Sequence, residues 1–142
     1  MQVDFYILAA EGPEAPLRFA CRLVEKAWGL GHQVHVHTPS AESARALDAL
    51  LWSFRQESFL PHALAEEVDG EPVPPVRIGH GDAAPAHPGD LLVNLDVAVP
   101  GFHDRFPRVA EVVPAGEAAR AAGRDRYRRY RDRGLEPRSH RV

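Results

Sequence analysis

The feature that most constrains the fold of this 142-residue chain is the alternation of strand-like and helix-like segments along its first half. Residues 2–8 and 33–37 have the composition or the polar–apolar alternation of β-strands. Residues 17–28 instead repeat apolar side chains every three or four positions, as one face of a helix does. Ser40 is a plausible N-cap for a second helix that ends near Trp52. This order predicts an α/β fold with a mainly parallel sheet and right-handed crossover helices.

The second half of the chain supplies three further candidate strands and one helix. Residues 76–78 and 91–95 are predicted to form further central strands, and the second segment is nearly continuous in apolar residues, as buried parallel strands are. Residues 108–113 can form the last strand. A final helix is predicted over residues 117–133, and Gly134 marks its end.

One domain accounts for the chain. We expect residues 1–134 to form a single Rossmann-like domain with helices on both faces of the sheet, because a chain of 142 residues suits one core. Residues 135–142 are expected to form a partly mobile C-terminal tail. No apolar run approaches the roughly 20 residues that span a bilayer, so we expect a cytoplasmic protein without membrane contact.

The sequence lacks the usual signatures of α/β enzymes. The turn after the first strand, residues 8–14, has one glycine and two acidic residues, unlike the glycine-rich loops that bind nucleotide phosphates. Cys21 lies on the apolar stripe of the first helix, which argues against a nucleophile. His35 and His37 share a strand face, but no third metal ligand is indicated. We expect no catalytic site, metal or cofactor; a small nucleotide-binding protein or enzyme of unknown substrate is the alternative.

Charge is distributed unevenly along the chain. Residues 117–142 contain nine arginines and four acidic residues, a net charge of +5, and the whole chain has a net charge of -3, so the remainder carries -8. An acidic body with a basic end can bind a small anionic partner and repels long polyanions such as duplex DNA. An acidic peptide is the favoured ligand. A solvated helix without any ligand is the alternative.

Several basic residues of the last helix share one face with a tyrosine. They recur at helical spacing and are Arg120, Arg124, Tyr127, Arg128 and Arg131. Guanidinium groups bind carboxylates through paired hydrogen bonds, and the tyrosine ring offers an apolar wall for a partner's side chain. A short acidic peptide with an apolar terminal residue would match both features. Single-stranded nucleic acid, whose bases stack on aromatic rings, is a further possible ligand of such a face.

Large apolar residues cluster after the second helix. Trp52, Phe59 and Pro61 lie within ten residues of one another. Such residues usually pack in a core, and the alternative is an exposed patch for a partner protein.

Four segments resemble the chi subunit family of bacterial DNA polymerase III holoenzyme, an accessory of the clamp-loader complex. They are FYIL at residues 5–8, LDALLW at 47–52, ESFLPHALAE at 57–66 and RDRYRRYR at 124–131. The resemblance implies a Rossmann-like domain without a nucleotide site. It also implies a non-catalytic adaptor of the replisome that contacts nucleic acid only indirectly.

The resemblance implies two protein-binding surfaces. One receives the psi subunit, and the family's motif positions place Trp52, Phe59, Pro61 and Val113 there. A helicase-like repair protein is an alternative partner for that surface. The other receives the acidic, phenylalanine-terminated tail of single-stranded DNA-binding protein, and by motif position its residues are Arg120, Arg124, Tyr127 and Arg128. Contacts from the tail, residues 135–142, are left open because that segment departs from the family's pattern.

Overall fold

The computed structural model describes residues 1–54 and 59–142. Glu57 and Ser58, which open the third of the four motifs, lie outside the described residues. In chain order, the helices and strands are β1 (Gln2–Ile7), α1 (Ala15–Gly29), β2 (Val34–Thr38), α2 (Ala41–Phe54), β3 (His62–Leu64), β4 (Val76–His80), β5 (Leu91–Asn94), β6 (Arg108–Val113), α3 (Glu117–Asp132) and β7 (Arg138–Arg141).

The strands form one parallel sheet with the order β3-β4-β2-β5-β6-β1-β7. Side chains on alternating faces of the strands build two separate cores. The larger core packs α1 and α2 against one face of the sheet, and the smaller one packs Tyr127 and Tyr130 of α3 against the other face. The predicted α/β, Rossmann-like class with helices on both faces is confirmed.

Local signals identified most helix boundaries correctly. The Ser40 hydroxyl accepts a hydrogen bond from the Ser43 amide at 3.1 Å, as expected of an N-cap. Gly134 has a φ of +84°, and the amide of Leu135 bonds back to the Tyr130 carbonyl at 3.1 Å. A left-handed glycine of this kind ends a helix without steric cost.

Residues 108–113 form a strand, β6, as predicted, but the prediction that this strand is the last one is wrong. The tail contributes β7, which pairs in parallel with β1 at the edge of the sheet. Side-chain contacts help to hold it there: the His140 ring bonds to the Asp4 carboxylate at 2.8 Å, and the Tyr127 hydroxyl donates to the Pro137 carbonyl at 3.1 Å. The mobility expected for residues 135–142 stays a prediction. The short strand β3, at the opposite edge, was also missed.

Candidate functional site

A buried ion pair fixes α3 on the sheet. The Nε atom of Arg126 lies 2.8 Å from Oε1 of Glu111 on β6, and the two side chains are 3% and 0% exposed. Asn94 and Tyr130 donate further hydrogen bonds to the same carboxylate, at 2.9 and 2.6 Å. Burial raises the pKa of the Glu111 carboxyl, while Arg126 and the other donors oppose that rise. Arg126 is therefore an internal cation and does not contribute to the basic surface.

A groove of about 440 Å³ lies between α3, which the ion pair anchors, and the β1–β7 edge of the sheet. We call it the α3–β7 groove. Its apolar lining comes from two adjacent strands and from α3, and its cations come from α3 and β7. The lining residues are Phe5, Ile7, Val113, Arg120, Gly123, Arg124, Tyr127, Ser139 and Arg141.

A glycine allows α3 to approach the sheet at this point. A Cβ atom on Gly123 would lie 2.9 Å from Cγ1 of Val113. No ordinary pair of carbon atoms packs that closely. The absence of a side chain on Gly123 therefore sets the depth of the groove beneath Arg120 and Arg124.

The tyrosine predicted for this site forms one wall. The ring centroid of Tyr127 lies 5.3 Å from that of Phe5, with the two planes tilted by 55°. Because its hydroxyl bonds to the Pro137 carbonyl, the ring is fixed in place and its apolar face lines the groove.

Arg120 and Arg124 are exposed at this groove, and neither forms an ion pair within residues 1–54 and 59–142. Arg128 differs from them. It pairs with Asp125 one turn before it on α3, and it does not line the groove. Three of the four residues predicted for this site, Arg120, Arg124 and Tyr127, are therefore brought together, and Arg128 lies beside them.

The placement of Val113 needs correction. It was grouped with Trp52 and Phe59, but its side chain is only 4% exposed and packs under α3 with the smaller core. Trp52 lies on α2, which packs on the opposite face of the sheet. Val113 therefore belongs to the floor of the α3–β7 groove. The sequence alone does not show which face of β6 each residue occupies, so it could not place Val113 in this groove.

Five groove residues escaped the sequence reasoning: Gly123 on α3 and four residues on β1 and β7. Phe5 and Ile7 on β1 lie beside Ser139 and Arg141 on β7, and the strand register aligns them pair by pair. In each strand the two residues stand at i and i+2, so they share one face. That spacing was a detectable signal. It indicates a shared face only where residues 138–141 form a strand, and the sequence predicts a tail there.

A second surface carries the exposed aromatic residues near the other edge of the sheet. Trp52 is 68% exposed and Phe59 is 84% exposed, and Pro61 beside them is also exposed. We call these three residues the Trp52 surface. Of the two interpretations of this cluster, the structure therefore supports the exposed patch and not the core.

The Trp52 ring packs against a buried histidine beneath the Trp52 surface. The centroid of the Trp52 ring lies 4.5 Å from that of His62, and the two ring nitrogens of His62 lie 2.9 and 3.2 Å from the carbonyl oxygens of Leu60 and Asp48. Phe59 has a φ of +47°, a conformation uncommon for a residue with a side chain. Backbone strain of this kind persists only where neighbouring contacts impose it, and it is frequent at functional sites.

The residues considered for catalysis and metal binding are buried. His35 and His37 are 3% and 4% exposed, and the Nε2 atom of His37 lies 3.2 Å from the Asp96 carboxylate. Burial raises the pKa of the Cys21 thiol to about 11. Across the described part of the chain, no three histidine, cysteine or acidic residues are grouped as metal ligands. In the same residues, no helix has the length and apolar character needed to cross a membrane.

These observations define a Rossmann-like α/β domain that has, on one side, a cationic groove with an apolar floor. Known structures agree on the fold. A Saccharomyces cerevisiae Dbp5 variant bound to a Gle1 variant and IP6 gives a TM-score of 0.64 at 12% identity, and T4 UvsW gives 0.66 at 11%. Both alignments cover 99% of this chain but only 42% and 41% of the larger structures.

Sequence comparison identifies the family. The model of the family described as "DNA polymerase III chi subunit, HolC" matches residues 1–138. The DNA polymerase III subunit chi of Pseudomonas aeruginosa is 47% identical, over 99% of this chain and 96% of that relative. The subunit chi proteins of Haemophilus influenzae and Escherichia coli are 30% and 29% identical, each over 92% of this chain and at least 90% of the relative. The chain belongs to the DNA polymerase III chi subunit family, and its role lies in DNA replication.

Proposed function

We propose that this protein is a non-catalytic adaptor of the DNA polymerase III clamp-loader complex. In this proposal it binds the psi subunit through the Trp52 surface. It binds the acidic C-terminal tail of single-stranded DNA-binding protein through the α3–β7 groove. The single observation that carries the proposal is the groove, in which guanidinium groups surround an apolar floor.

The chemistry of the groove matches an acidic peptide that ends in an apolar residue. Arg120, Arg124 and Arg141 line it and supply donors for carboxylates. Phe5 and the Tyr127 ring offer an apolar contact for the terminal side chain, and aromatic pairs in tilted geometries are favourable. The remainder of the chain is acidic overall, so it repels the phosphate backbone of DNA. The groove therefore suits the acidic tail of a DNA-bound protein better than it suits DNA itself.

The Trp52 surface suits a protein partner. Exposed tryptophan and phenylalanine side chains in one patch are enriched at protein interfaces, where their burial contributes much of the binding energy. Because the Trp52 ring packs on His62, little side-chain entropy would be lost when a partner covers it.

The groove lies on the face of the sheet covered by α3, whereas Trp52 lies on α2, which packs on the other face, so both partners can bind at once. Two moderate contacts joined in one molecule raise the effective concentration of each partner for the other. Such a bridge keeps the polymerase near protein-coated single strands, while each individual contact can exchange.

Calorimetry with a synthetic tail peptide tests the groove. We expect Arg124→Glu to weaken the peptide at least tenfold, because a favourable charge in the groove becomes a repulsive one. Arg129→Glu is the matched control: Arg129 is exposed on the same helix but does not line the groove. Added salt should weaken binding to the unaltered protein. Equal losses in both variants would show only a general charge effect and would contradict the proposal.

The Trp52 surface is tested with the psi subunit. We expect Phe59→Ala to weaken psi binding at least tenfold while tail-peptide affinity stays unchanged, since the two surfaces are separate. Val97→Ala provides the control, because Val97 is also an exposed apolar residue. Undiminished psi binding by a folded Phe59→Ala protein would remove this surface from the proposal.

A further inference from the structure

The outer edge of β7 is an open edge of the sheet. In the strand order of the described residues, 1–54 and 59–142, β7 is terminal and pairs with β1 alone. All four of its residues are exposed. Open strand edges present unpaired N–H and C=O groups, and extended peptides can add to them as a further strand.

The hydrogen-bond pattern shows which groups are free. The Val142 amide donates to the Ile7 carbonyl at 3.0 Å, and the Val142 carbonyl accepts from Ala9 at 2.8 Å. Because alternate residues of a strand turn their backbone groups to the same side, His140 also faces β1. The backbone groups of Ser139 and Arg141 therefore point to the open edge.

The same two residues line the α3–β7 groove with their side chains. A peptide strand placed against β7 would run directly beside the groove, and every second side chain would face the groove side of the sheet. Arg138 and Arg141 make this edge cationic, and residues 138–141 contain no acidic residue to oppose them. Open backbone groups, cationic side chains and an apolar hollow thus meet at one place.

We infer that the groove takes its acidic peptide as an added β-strand on β7, with backbone hydrogen bonds to Ser139 and Arg141 and the apolar terminal side chain in the α3–β7 groove. This inference rests on the proposed function and specifies how the same site recognises its ligand. Backbone pairing gives affinity that does not depend on sequence. The groove adds selection for a carboxylate-rich peptide with an apolar end. The contacts of His140 with Asp4 and of Tyr127 with Pro137 hold the edge in place for this role.

N-methylated tail peptides test the inference. Methylation of an amide removes its hydrogen bond, so one set of alternating amides is needed for pairing and the other set points away. We expect one set of N-methyl peptides to bind about tenfold more weakly than the unmodified peptide, the effect of one or two lost hydrogen bonds. The other set should bind as the unmodified peptide does. Equal affinities for both sets would overturn the strand-addition mode and leave groove binding intact.

Amide hydrogen exchange, measured on the full chain, tests the inference independently. Saturating peptide should slow exchange at Ser139 and Arg141 at least tenfold. The amide of His140, already turned towards β1, serves as the internal control. Unchanged exchange at Ser139 and Arg141 with bound peptide would overturn the inference. So would protection of both amides without peptide, since that would show the edge paired with a second copy. An unmodified peptide that fails to bind would overturn the proposed function itself.

Discussion

Replacement of Arg126 by methionine tests how α3 is held on the sheet. Arg126 is buried, and its guanidinium donates to Glu111 at 2.8 Å and to the carbonyls of Val97 and Val112 at 3.1 and 3.2 Å. Arg126→Met keeps much of the apolar volume but leaves the Glu111 carboxylate without its cation. Removal of one partner from a buried pair typically lowers the free energy of unfolding by about 3–5 kcal/mol. For a domain of this size we expect Tm to fall by roughly 10 °C.

The loss should depend on pH. Without Arg126, burial raises the pKa of Glu111 further above that of the unfolded chain. The folded variant then binds a proton that the unfolded chain does not, so its stability falls as pH rises. The deficit relative to the unaltered protein should therefore be smaller at pH 5.5 than at pH 7.5.

Urea unfolding followed by circular dichroism at both pH values measures this. Arg129→Met is the matched control: Arg129 is exposed on the same helix, and we expect a change within about 0.5 kcal/mol. A loss below about 1 kcal/mol in Arg126→Met, or one that does not vary with pH, would refute the reasoning that this pair is a strong anchor of α3.

Three further predictions concern single side chains. Burial lowers the pKa of His35 to about 4 from an ordinary value of 6.5, so the unfolded chain binds a proton that the folded chain excludes between those values. When the pH is lowered from 7 to 5, the free energy of unfolding measured with urea should therefore fall less in His35→Phe than in the unaltered protein. Equal falls would contradict this. Tyr127→Phe keeps the groove wall but removes the bond to Pro137, and it should lower stability by about 0.5–1.5 kcal/mol and speed amide exchange in β7. Amide exchange in β7 as slow as in the unaltered protein would contradict the role of the Tyr127–Pro137 hydrogen bond in holding β7. Gly123→Ala should not give the roughly 1 kcal/mol gain usual for glycine-to-alanine changes in helices, because its Cβ would press on Val113; a Tm several degrees higher would show that the contact is relieved at no cost.

Periodicity and helix-end signals in the sequence were enough to predict the sheet class and the three α-helices of the described residues. Apolar spacing and the Ser40 and Gly134 signals depend only on neighbouring residues, so they are visible in one dimension. Strands β3 and β7 were missed because they are short and lie at the edges of the sheet. Polar residues such as those of RSHR occupy an edge strand without needing a buried face.

The site was predictable in part for the same reason. Arg120, Arg124 and Tyr127 share a helix face, so their spacing brought them together correctly. Arg126, two residues from Arg124, looked equally basic in the sequence and proved to be buried against Glu111. The role of Arg141 depends on a strand pairing between opposite ends of the chain, and Val113 depends on which face of β6 it occupies. Spacing along the sequence reports neither.

The most direct test of the proposed groove is a titration of the isotope-labelled protein with an acidic, phenylalanine-terminated peptide, followed by amide chemical shifts. Binding in the α3–β7 groove predicts the largest shift changes at Gly123, Arg124 and Ser139, with those at Trp52 unchanged. Shift changes confined to the Trp52 surface, or none at saturating peptide, would contradict the assignment of the groove as the docking site.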